Sequence, residues 1–168
     1  MIYKFCPMCS SELEEKSNKL LLCTKCKYKF WQNPKPATSV LLLNKRDEIL
    51  LVKRAHDPSM GLWDMPGGFI DPGENLEEST LRELEEELGA KFADLEYLFS
   101  FSDEYRYEGI NYGVVVPVFG AKMETEILIL NEESTGYKWF AKDSIPWENL
   151  AFDGMKKALK RYLNACGT

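Results

Sequence analysis

"GGFIDPGENLEESTLRELEEELGA", residues 67–90, places four glutamates within five consecutive positions, next to a single arginine, Arg82. The four acidic residues are Glu83, Glu85, Glu86 and Glu87. Like charges four positions apart on a helix repel by a few tenths of a kcal/mol per pair, and a segment built only for helix stability would mix in lysines. The stretch therefore predicts that something neutralises these carboxylates.

The same stretch contains start and stop signals for a helix from about Leu76 to Leu88. Asn75 is a suitable N-cap residue, and Glu78 follows three positions later, as in a capping box. Gly89 suits the left-handed position after the last turn. These local signals predict the helix independently of its acidic content.

Helical periodicity separates the apolar and acidic residues of this segment. One face carries three leucines that can pack on a sheet, namely Leu81, Leu84 and Leu88. The opposite face carries three glutamates, whose carboxylates we expect to converge within a few ångströms, namely Glu83, Glu86 and Glu87. The preceding loop has glycines that permit tight turns and expose carbonyl oxygens, namely Gly67, Gly68 and Gly73.

Carboxylate and carbonyl oxygens suit a hard divalent cation such as Mg²⁺ or Mn²⁺, which would remove the repulsion among the glutamates. Magnesium commonly bridges protein carboxylates and substrate phosphates, so the pattern indicates phosphate or pyrophosphate chemistry. The alternative is a solvated acidic helix face, and the charge pattern alone leaves both open.

The first 26 residues hold four of the five cysteines, as two C-x2-C pairs separated by 13 residues: Cys6, Cys9, Cys23 and Cys26. Two such turns can complete a thiolate tetrahedron around structural Zn²⁺, and "LLLC" reads as a return strand between them. Disulfides and a redox pair are the alternatives. Cys166 has no partner pair, and we expect an ordinary thiol there.

The bulk composition predicts one domain with a small appendage in a chain of 168 residues. No apolar run approaches a membrane span and no signal-peptide core is present, so we expect a cytoplasmic protein without a membrane partner. The net charge of −6 argues against nucleic-acid binding by the whole chain. Residues 1–36 nevertheless carry seven Lys and three Glu, hence +4, which leaves open either a separate role or a solvated surface.

The remaining segments predict a mixed sheet with helices packed on it, an α/β (α+β) class. "FWQNPKPA" interrupts regular pairing, so we place the domain boundary after residue 35, with a ribbon at 1–35 and a second domain at 36–168. We expect strands in "TSVLLL" and "EILLVKR" around a turn at 44–47, near 95–103 and 112–119, and at 136–140, and an amphipathic helix over 147–163.

Residues 68–90 resemble the Nudix box, G-x5-E-x7-R-E-U-x-E-E-x-G-U, in which U is a bulky apolar residue. The fixed positions and spacings match through Gly89, and Ala90 stands where a larger aliphatic is usual. The resemblance implies an α/β/α sandwich with a mixed sheet and a pyrophosphohydrolase that uses Mg²⁺ or Mn²⁺. Its substrate would be a nucleoside diphosphate linked to another moiety, such as ADP-ribose, a dinucleotide or an NDP-sugar, and it would release a nucleoside monophosphate.

The resemblance also implies roles for individual residues. The metal ligands would be Glu83, Glu86 and Glu87, with help from the carbonyl of Gly68. Arg82 and Glu74 would hold the glutamates in position, and one glutamate or a carboxylate from a later loop would activate water.

The layout of a cysteine ribbon, a proline-containing link and this box is similar to that of the NADH pyrophosphatase branch. That branch carries an "SQPWPFP" signature, and this chain has "FSFSDEYRYEGINYG" in the corresponding region, so NADH specificity is not carried over. Tyr105 and Tyr107 stand there instead, somewhat as in dinucleoside polyphosphate hydrolases.

Smaller signals concern substrate contacts. Arg54, at a strand end, is a candidate phosphate contact, and Tyr105 a candidate contact to the rest of the substrate. Glu132 and Glu133 precede "GYKWF", where Nudix proteins often supply an extra carboxylate, although the usual position is Gly136 here. We expect the single histidine, His56, not to be catalytic.

The alternative function is a module without catalysis, in which the box senses a nucleotide and the basic ribbon contacts nucleic acid or a protein. The intact glutamates favour an enzyme with a nucleotide-type small-molecule substrate. Nothing in the sequence specifies a symmetric surface, so a homodimer stays an open alternative.

Overall fold

The computed structural model describes residues 3–123 and 127–166, which form ten strands and two α-helices. The strands are β1 (Leu13–Ser17), β2 (Leu20–Cys23), β3 (Lys29–Trp31), β4 (Lys35–Pro36), β5 (Ser39–Leu43), β6 (Ile49–Arg54), β7 (Trp63–Asp64), β8 (Glu96–Tyr107), β9 (Ile110–Lys122) and β10 (Ser134–Phe140). The helices are α1 (Leu76–Leu88) and α2 (Asp153–Cys166). None of the helices in these ranges is long and apolar enough to cross a membrane.

The N-terminal segment is a small antiparallel sheet in the order β1-β2-β3. The "LLLC" strand expected between the cysteine pairs is β2. Its alternating side chains point inward at Leu21 and Cys23, which form a compact core with Cys6 and Leu13. This core is small, so the segment depends on more than apolar burial for its stability.

The main sheet is mixed, as expected from the sequence. Its central path is β10-β6-β5-β9-β4, with β7 added to β6 and β8 added to β9. The β5–β9 and β4–β9 pairs are parallel and the others are antiparallel. The mixed topology brings residues 39–54 in the first half of the chain against residues 110–140 in the second.

The central strands are buried on both faces, because each face is covered by one helix. On one face Val40, Leu42, Leu50 and Val52 pack with Leu84 and Leu88 of α1. On the other, Leu41, Ile49 and Leu51 pack with Met155 and Leu159 of α2. The continuous apolar runs of β5 and β6 thus read as strands buried on both sides. The α/β/α sandwich implied by the resemblance is confirmed.

The acidic helix has the bounds predicted from its caps. Asn75 Oδ1 accepts the backbone N–H of Glu78 at 2.8 Å, and Glu78 Oε2 accepts the N–H of Asn75 at 3.1 Å. Gly89 ends the helix in the left-handed conformation, with φ 63°. Short-range signals therefore fix this element before any tertiary contact is considered.

Two sequence-based expectations about element bounds need correction. The C-terminal helix begins at Asp153 and not at residue 147, and residues 147–149 form a single 3₁₀ turn. The reason is tertiary: Ala151 donates its N–H to the Trp63 carbonyl at 2.9 Å, which keeps residues 150–151 extended. The strands expected near 95–103 and 112–119 are longer, because they form one hairpin that turns at Glu108 and Gly109.

The link after the ribbon pairs where we expected an interruption. Lys35 and Pro36 lie parallel to Val114 and Val115 at the edge of the main sheet. An edge position tolerates proline because its missing N–H faces away from the ladder. The small sheet ends at Trp31 and the main sheet begins at Lys35, and a boundary after residue 35 stays a prediction.

The packing of α1 makes a stability prediction. Leu84→Ala should lower the free energy of unfolding by about 2–5 kcal/mol, because it empties a fully buried site between α1 and the sheet. Leu81→Ala removes the same atoms from a half-buried position on the same helix and should cost clearly less. Urea denaturation of both variants measures the difference, and equal losses would contradict this packing.

Candidate active site

A cleft of about 510 Å³ opens between the Gly-rich loop, α1 and the β8–β9 hairpin. Its floor is acidic, with Glu83 and Glu87 from α1, Asp64 from β7 and Glu133 from the loop before β10. Its walls are largely aromatic. Concave sites of this size with a few convergent polar groups suit small-molecule ligands.

Arg82 binds three of the acidic side chains at this site. Its Nε and Nη2 donate to the two carboxylate oxygens of Glu74, at 2.6 and 2.9 Å. Its Nη1 donates to Glu83 Oε1 at 2.9 Å and to Glu86 Oε2 at 3.0 Å. The hydrogen bonds from Arg82 lower the pKa of Glu74 to about 2. Arg82 and Glu74 are thus brought together with the glutamates, although their positioning role stays a prediction.

Glu83 lies against the backbone of the Gly-rich loop. A Cβ atom on Gly68 would lie 2.5 Å from the carboxyl carbon of Glu83, so only glycine fits this contact. The Gly68 carbonyl accepts the N–H of Thr38 at 2.7 Å. Burial raises the pKa of Glu83, while Arg82 opposes that shift. This carboxylate therefore occupies a fixed position at the cleft floor.

Glu87 is the more deeply buried of the two helix glutamates in the cleft, with 7% of its surface exposed. Its Oε2 accepts the N–H of Gly67 at 2.9 Å. Burial raises its pKa to about 8, and the charges of Glu83, Asp64 and Glu133 add to the effect. Its carboxylate is therefore short of positive charge in the protein alone.

Glu86 differs from the sequence-based picture of three converging carboxylates. Its side chain is 56% exposed and pairs with Arg82, whereas Glu83 and Glu87 are buried. Among the described residues, the one group of Cys, His, Asp and Glu side chains whose ligand atoms lie within 4.8 Å of one another is the cysteine cluster. Competition from Arg82 for the carboxylate of Glu86 accounts for the wider spacing of the glutamates.

The donor set at the floor nevertheless fits a hard divalent cation. Two buried carboxylates, Glu83 and Glu87, and a nearby backbone carbonyl supply oxygen atoms, which Mg²⁺ and Mn²⁺ prefer. The raised pKa of Glu87 shows that the ionised carboxylate is unfavourable without added positive charge. A cation would supply that charge.

The other sequence-based candidates separate into those in the cleft and those outside it. Arg54, Tyr105 and Glu133 line the cleft. Glu132 is not among the lining residues, and its assignment stays a prediction. His56 also lines the cleft, on the loop after β6, a position that the sequence did not reveal.

Sequence reasoning missed three cleft residues: Asp64, Phe69 and Phe152. Asp64 follows the tryptophan of "GLWDMPGGF" and pairs with Arg54, Nη1 to Oδ2 3.0 Å. Burial raises its pKa. An aspartate in an otherwise apolar and glycine-rich stretch was the available signal, whereas the two phenylalanines had none.

The four ribbon cysteines form a second candidate site. Their sulfur atoms all lie within 4.8 Å of one another, with Cys6 to Cys26 at 3.7 Å and Cys9 to Cys23 at 3.5 Å. Backbone N–H groups at Met8 and Cys26 point at two of the sulfurs, which favours thiolates. Four convergent sulfurs suit a tetrahedral metal ion, and the set fits Zn²⁺.

Comparison with known proteins follows from the fold and the site. A family model described as the NUDIX domain matches residues 33–162, which is most of the chain. An ADP-ribose pyrophosphatase from Methanocaldococcus jannaschii is 30% identical over 140 residues, covering 82% of this chain and 78% of that protein.

Two further matches include most of the ribbon. The NAD-capped RNA hydrolase NudC from Pseudomonas aeruginosa is 24% identical over 144 residues, which cover 85% of this chain and 49% of that protein, so the chain spans about half its length. The crystal structure of a NUDIX hydrolase from Nitrosomonas europaea superposes with a TM-score of 0.71 and 29% identity, covering 96% of this chain and 91% of that one.

The burial of Glu87 makes a pH prediction for the protein without divalent cations. Its pKa is raised from an ordinary value of 4.5 to about 8 in the folded state, so the folded state binds the proton more tightly. Its contribution to stability is fully present below pH 4.5 and is lost as the pH rises through 8. The free energy of unfolding should therefore fall across this window, by at most about 1.4 kcal/mol per pH unit.

Urea denaturation at a series of pH values measures this slope. Glu87→Gln should flatten it, whereas Glu85→Gln, at an exposed position on the same helix, should not. A slope that Glu87→Gln leaves unchanged would show that other groups cause it.

Proposed function

Since the chain belongs to the NUDIX family and is a Nudix hydrolase, we propose that it cleaves the pyrophosphate bond of a nucleoside diphosphate linked to a second moiety. The reaction uses Mg²⁺ or Mn²⁺ and releases a nucleoside monophosphate. The observation that carries the proposal is the pair of buried carboxylates, Glu83 and Glu87, at the floor of a cleft with aromatic walls. Similarity to an ADP-ribose pyrophosphatase makes ADP-ribose the first substrate to test.

The residues that would hold the cation are Glu83, Glu87 and the carbonyl of Gly68, with Glu86 as the further ligand assigned by the sequence. A bound divalent cation neutralises phosphoryl oxygens and lowers the pKa of water. Arg82 fixes the carboxylate of Glu83 through Nη1, and the two hydrogen bonds from Arg82 to Glu74 fix the guanidinium itself.

The remaining carboxylates of the cleft handle the proton of the attacking water. Glu133 acts electrostatically on both Glu83 and Glu87, raising their pKa values, and it lines the same cleft. The proton is accepted by one of these three carboxylates, which are the ones that the cleft presents next to the Gly-rich loop. Gly67 holds Glu87 through its N–H, so this carboxylate keeps one oxygen for other partners.

The test is hydrolysis of a panel of compounds with Mg²⁺ and with Mn²⁺, followed by separation of the products. The panel contains ADP-ribose, NADH, a dinucleoside polyphosphate, UDP-glucose and ATP. At least one diphosphate-linked compound should yield a nucleoside monophosphate. Glu87→Gln should lower kcat/KM for it by at least about a hundredfold, since an ionisable ligand at the reacting centre is lost.

Glu85→Gln is the matched control, because Glu85 lies on the same helix and pairs with the exposed Lys91 at 3.1 Å. Its kcat/KM should stay close to that of the unmodified protein. Binding of ADP-ribose without turnover of any compound would instead support a nucleotide sensor.

For the N-terminal segment we propose a zinc ribbon over residues 1–35 that precedes a Nudix domain over 36–168. The cluster of Cys6, Cys9, Cys23 and Cys26 supports this proposal. Four protein ligands would leave no open position on the ion, so its role is to stabilise a segment whose apolar core is small.

Elemental analysis of the purified protein should find about one Zn²⁺ per chain, the stoichiometry of a four-thiolate site. Cys23→Ser should release it and lower the melting temperature. Cys166→Ser serves as the control and should retain the ion. Zinc content that is unaffected by Cys23→Ser would contradict the assignment.

A further inference from the structure

The walls of the cleft away from the glutamates are built from aromatic rings. Phe69, Tyr105 and Phe152 line it, and Tyr107 extends the same strand face. The ring centroid of Tyr105 lies 5.3 Å from that of Phe69 and 5.9 Å from that of Phe152. Phe69 and Tyr107 are 39% and 46% exposed, so apolar ring surface stays accessible in the cleft. Accessible rings in a concave surface are suited to a planar ligand.

Arg54 connects this wall to the rest of the cleft. Its Nη1 donates to Asp64 Oδ2 at 3.0 Å and its Nε to the Pro58 carbonyl at 2.8 Å. Its guanidinium carbon lies 5.1 Å from the ring centroid of Phe152, within the range of a cation–π contact. The same positive charge opposes the effect of burial on the pKa of Tyr105, so Arg54 acts on both rings.

The charge of Arg54 is already balanced inside the protein. The side chains of Arg54 and Asp64 are only 23% and 16% exposed. Drawing Arg54 toward a phosphate would separate this pair and leave Asp64 as a largely buried, uncompensated carboxylate. The geometry therefore favours a fixed guanidinium over one that reaches into the cleft.

The backbone on both sides of Phe152 is also held. Ala151 donates its N–H to the Trp63 carbonyl at 2.9 Å. Asp103 Oδ2 accepts the N–H of Gly154 at 2.6 Å at the start of α2. The ring of Phe152 is thus fixed by its neighbours along the chain and by Arg54 beside it. A wall that is ordered before the ligand arrives reduces the entropy lost on binding.

We propose that Phe69, Tyr105 and Phe152 form a seat for the flat heterocyclic ring of the substrate, and that Arg54 is a positioning residue that holds this seat. Arg54 then has a different role from the phosphate contact expected from the sequence. Stacking depends little on the identity of the base, so the ligand class is a purine or another flat heterocycle. This inference rests on the proposed function for the diphosphate at the glutamates and adds where the ring lies.

The test measures binding without turnover, by calorimetric titration of the full chain. Adenosine and guanosine probe the ring seat, and inorganic pyrophosphate with Mg²⁺ probes the phosphate site. The variants are Arg54→Lys, which keeps the charge but loses the planar fork, and Phe152→Leu, which removes one ring. Arg46→Lys, at the turn before β6 and paired with Glu48 outside the cleft, is the matched control.

Both cleft variants should weaken nucleoside binding by about fivefold or more, as expected for the loss of a stacking partner, and change pyrophosphate binding by less than about twofold. Arg46→Lys should change neither. Weaker pyrophosphate binding in Arg54→Lys with unchanged nucleoside binding would overturn the positioning role and support a phosphate contact. Phe152→Leu tests the seat even where Arg54→Lys lowers the stability of the fold.

These outcomes are separate from those of the hydrolysis panel. A protein that cleaves ADP-ribose but binds neither nucleoside contradicts the seat alone. A protein that binds a nucleoside with the expected response to Phe152→Leu, but cleaves nothing, supports the seat and contradicts the proposed reaction.

Discussion

A single guanidinium sets the arrangement of the acidic helix. Arg82 donates to Glu74, Glu83 and Glu86, and this explains how so many carboxylates fit on two turns of helix. One positive charge cannot compensate the whole cluster, however. Glu87 is left buried against the Gly67 N–H with a raised pKa. The charge deficit is thus concentrated at the cleft floor, where a cation and a diphosphate would both reduce it.

The sandwich holds this charged site in place. The strands β5 and β6 are covered on both faces, so α1 is pressed against the sheet through Leu84 and Leu88 while its acidic side meets the Gly-rich loop. Glycine at position 68 allows the loop to approach the Glu83 carboxylate more closely than any side chain would permit. Apolar packing on one side of the helix therefore determines which glutamates are buried on the other.

Local signals made much of the fold predictable. The bounds of α1 followed from Asn75 and Gly89, and the two cysteine pairs indicated a metal cluster, because these signals act within a few residues. Contacts distant in sequence were not predictable. Phe152 reaches the cleft only because Ala151 bonds to Trp63, and such pairings leave no periodic pattern. The outward position of Glu86 depends on competition for Arg82, which a helical wheel does not describe.

The most direct measurement is a crystal structure of the protein soaked with Mn²⁺ and a non-hydrolysable ADP-ribose analogue, with the ion located by its anomalous scattering. The account predicts a manganese peak at the carboxylates of Glu83 and Glu87, with the diphosphate of the analogue beside it. An analogue bound elsewhere, with no ion at these two carboxylates, would contradict the assignment of this cleft as the site of hydrolysis.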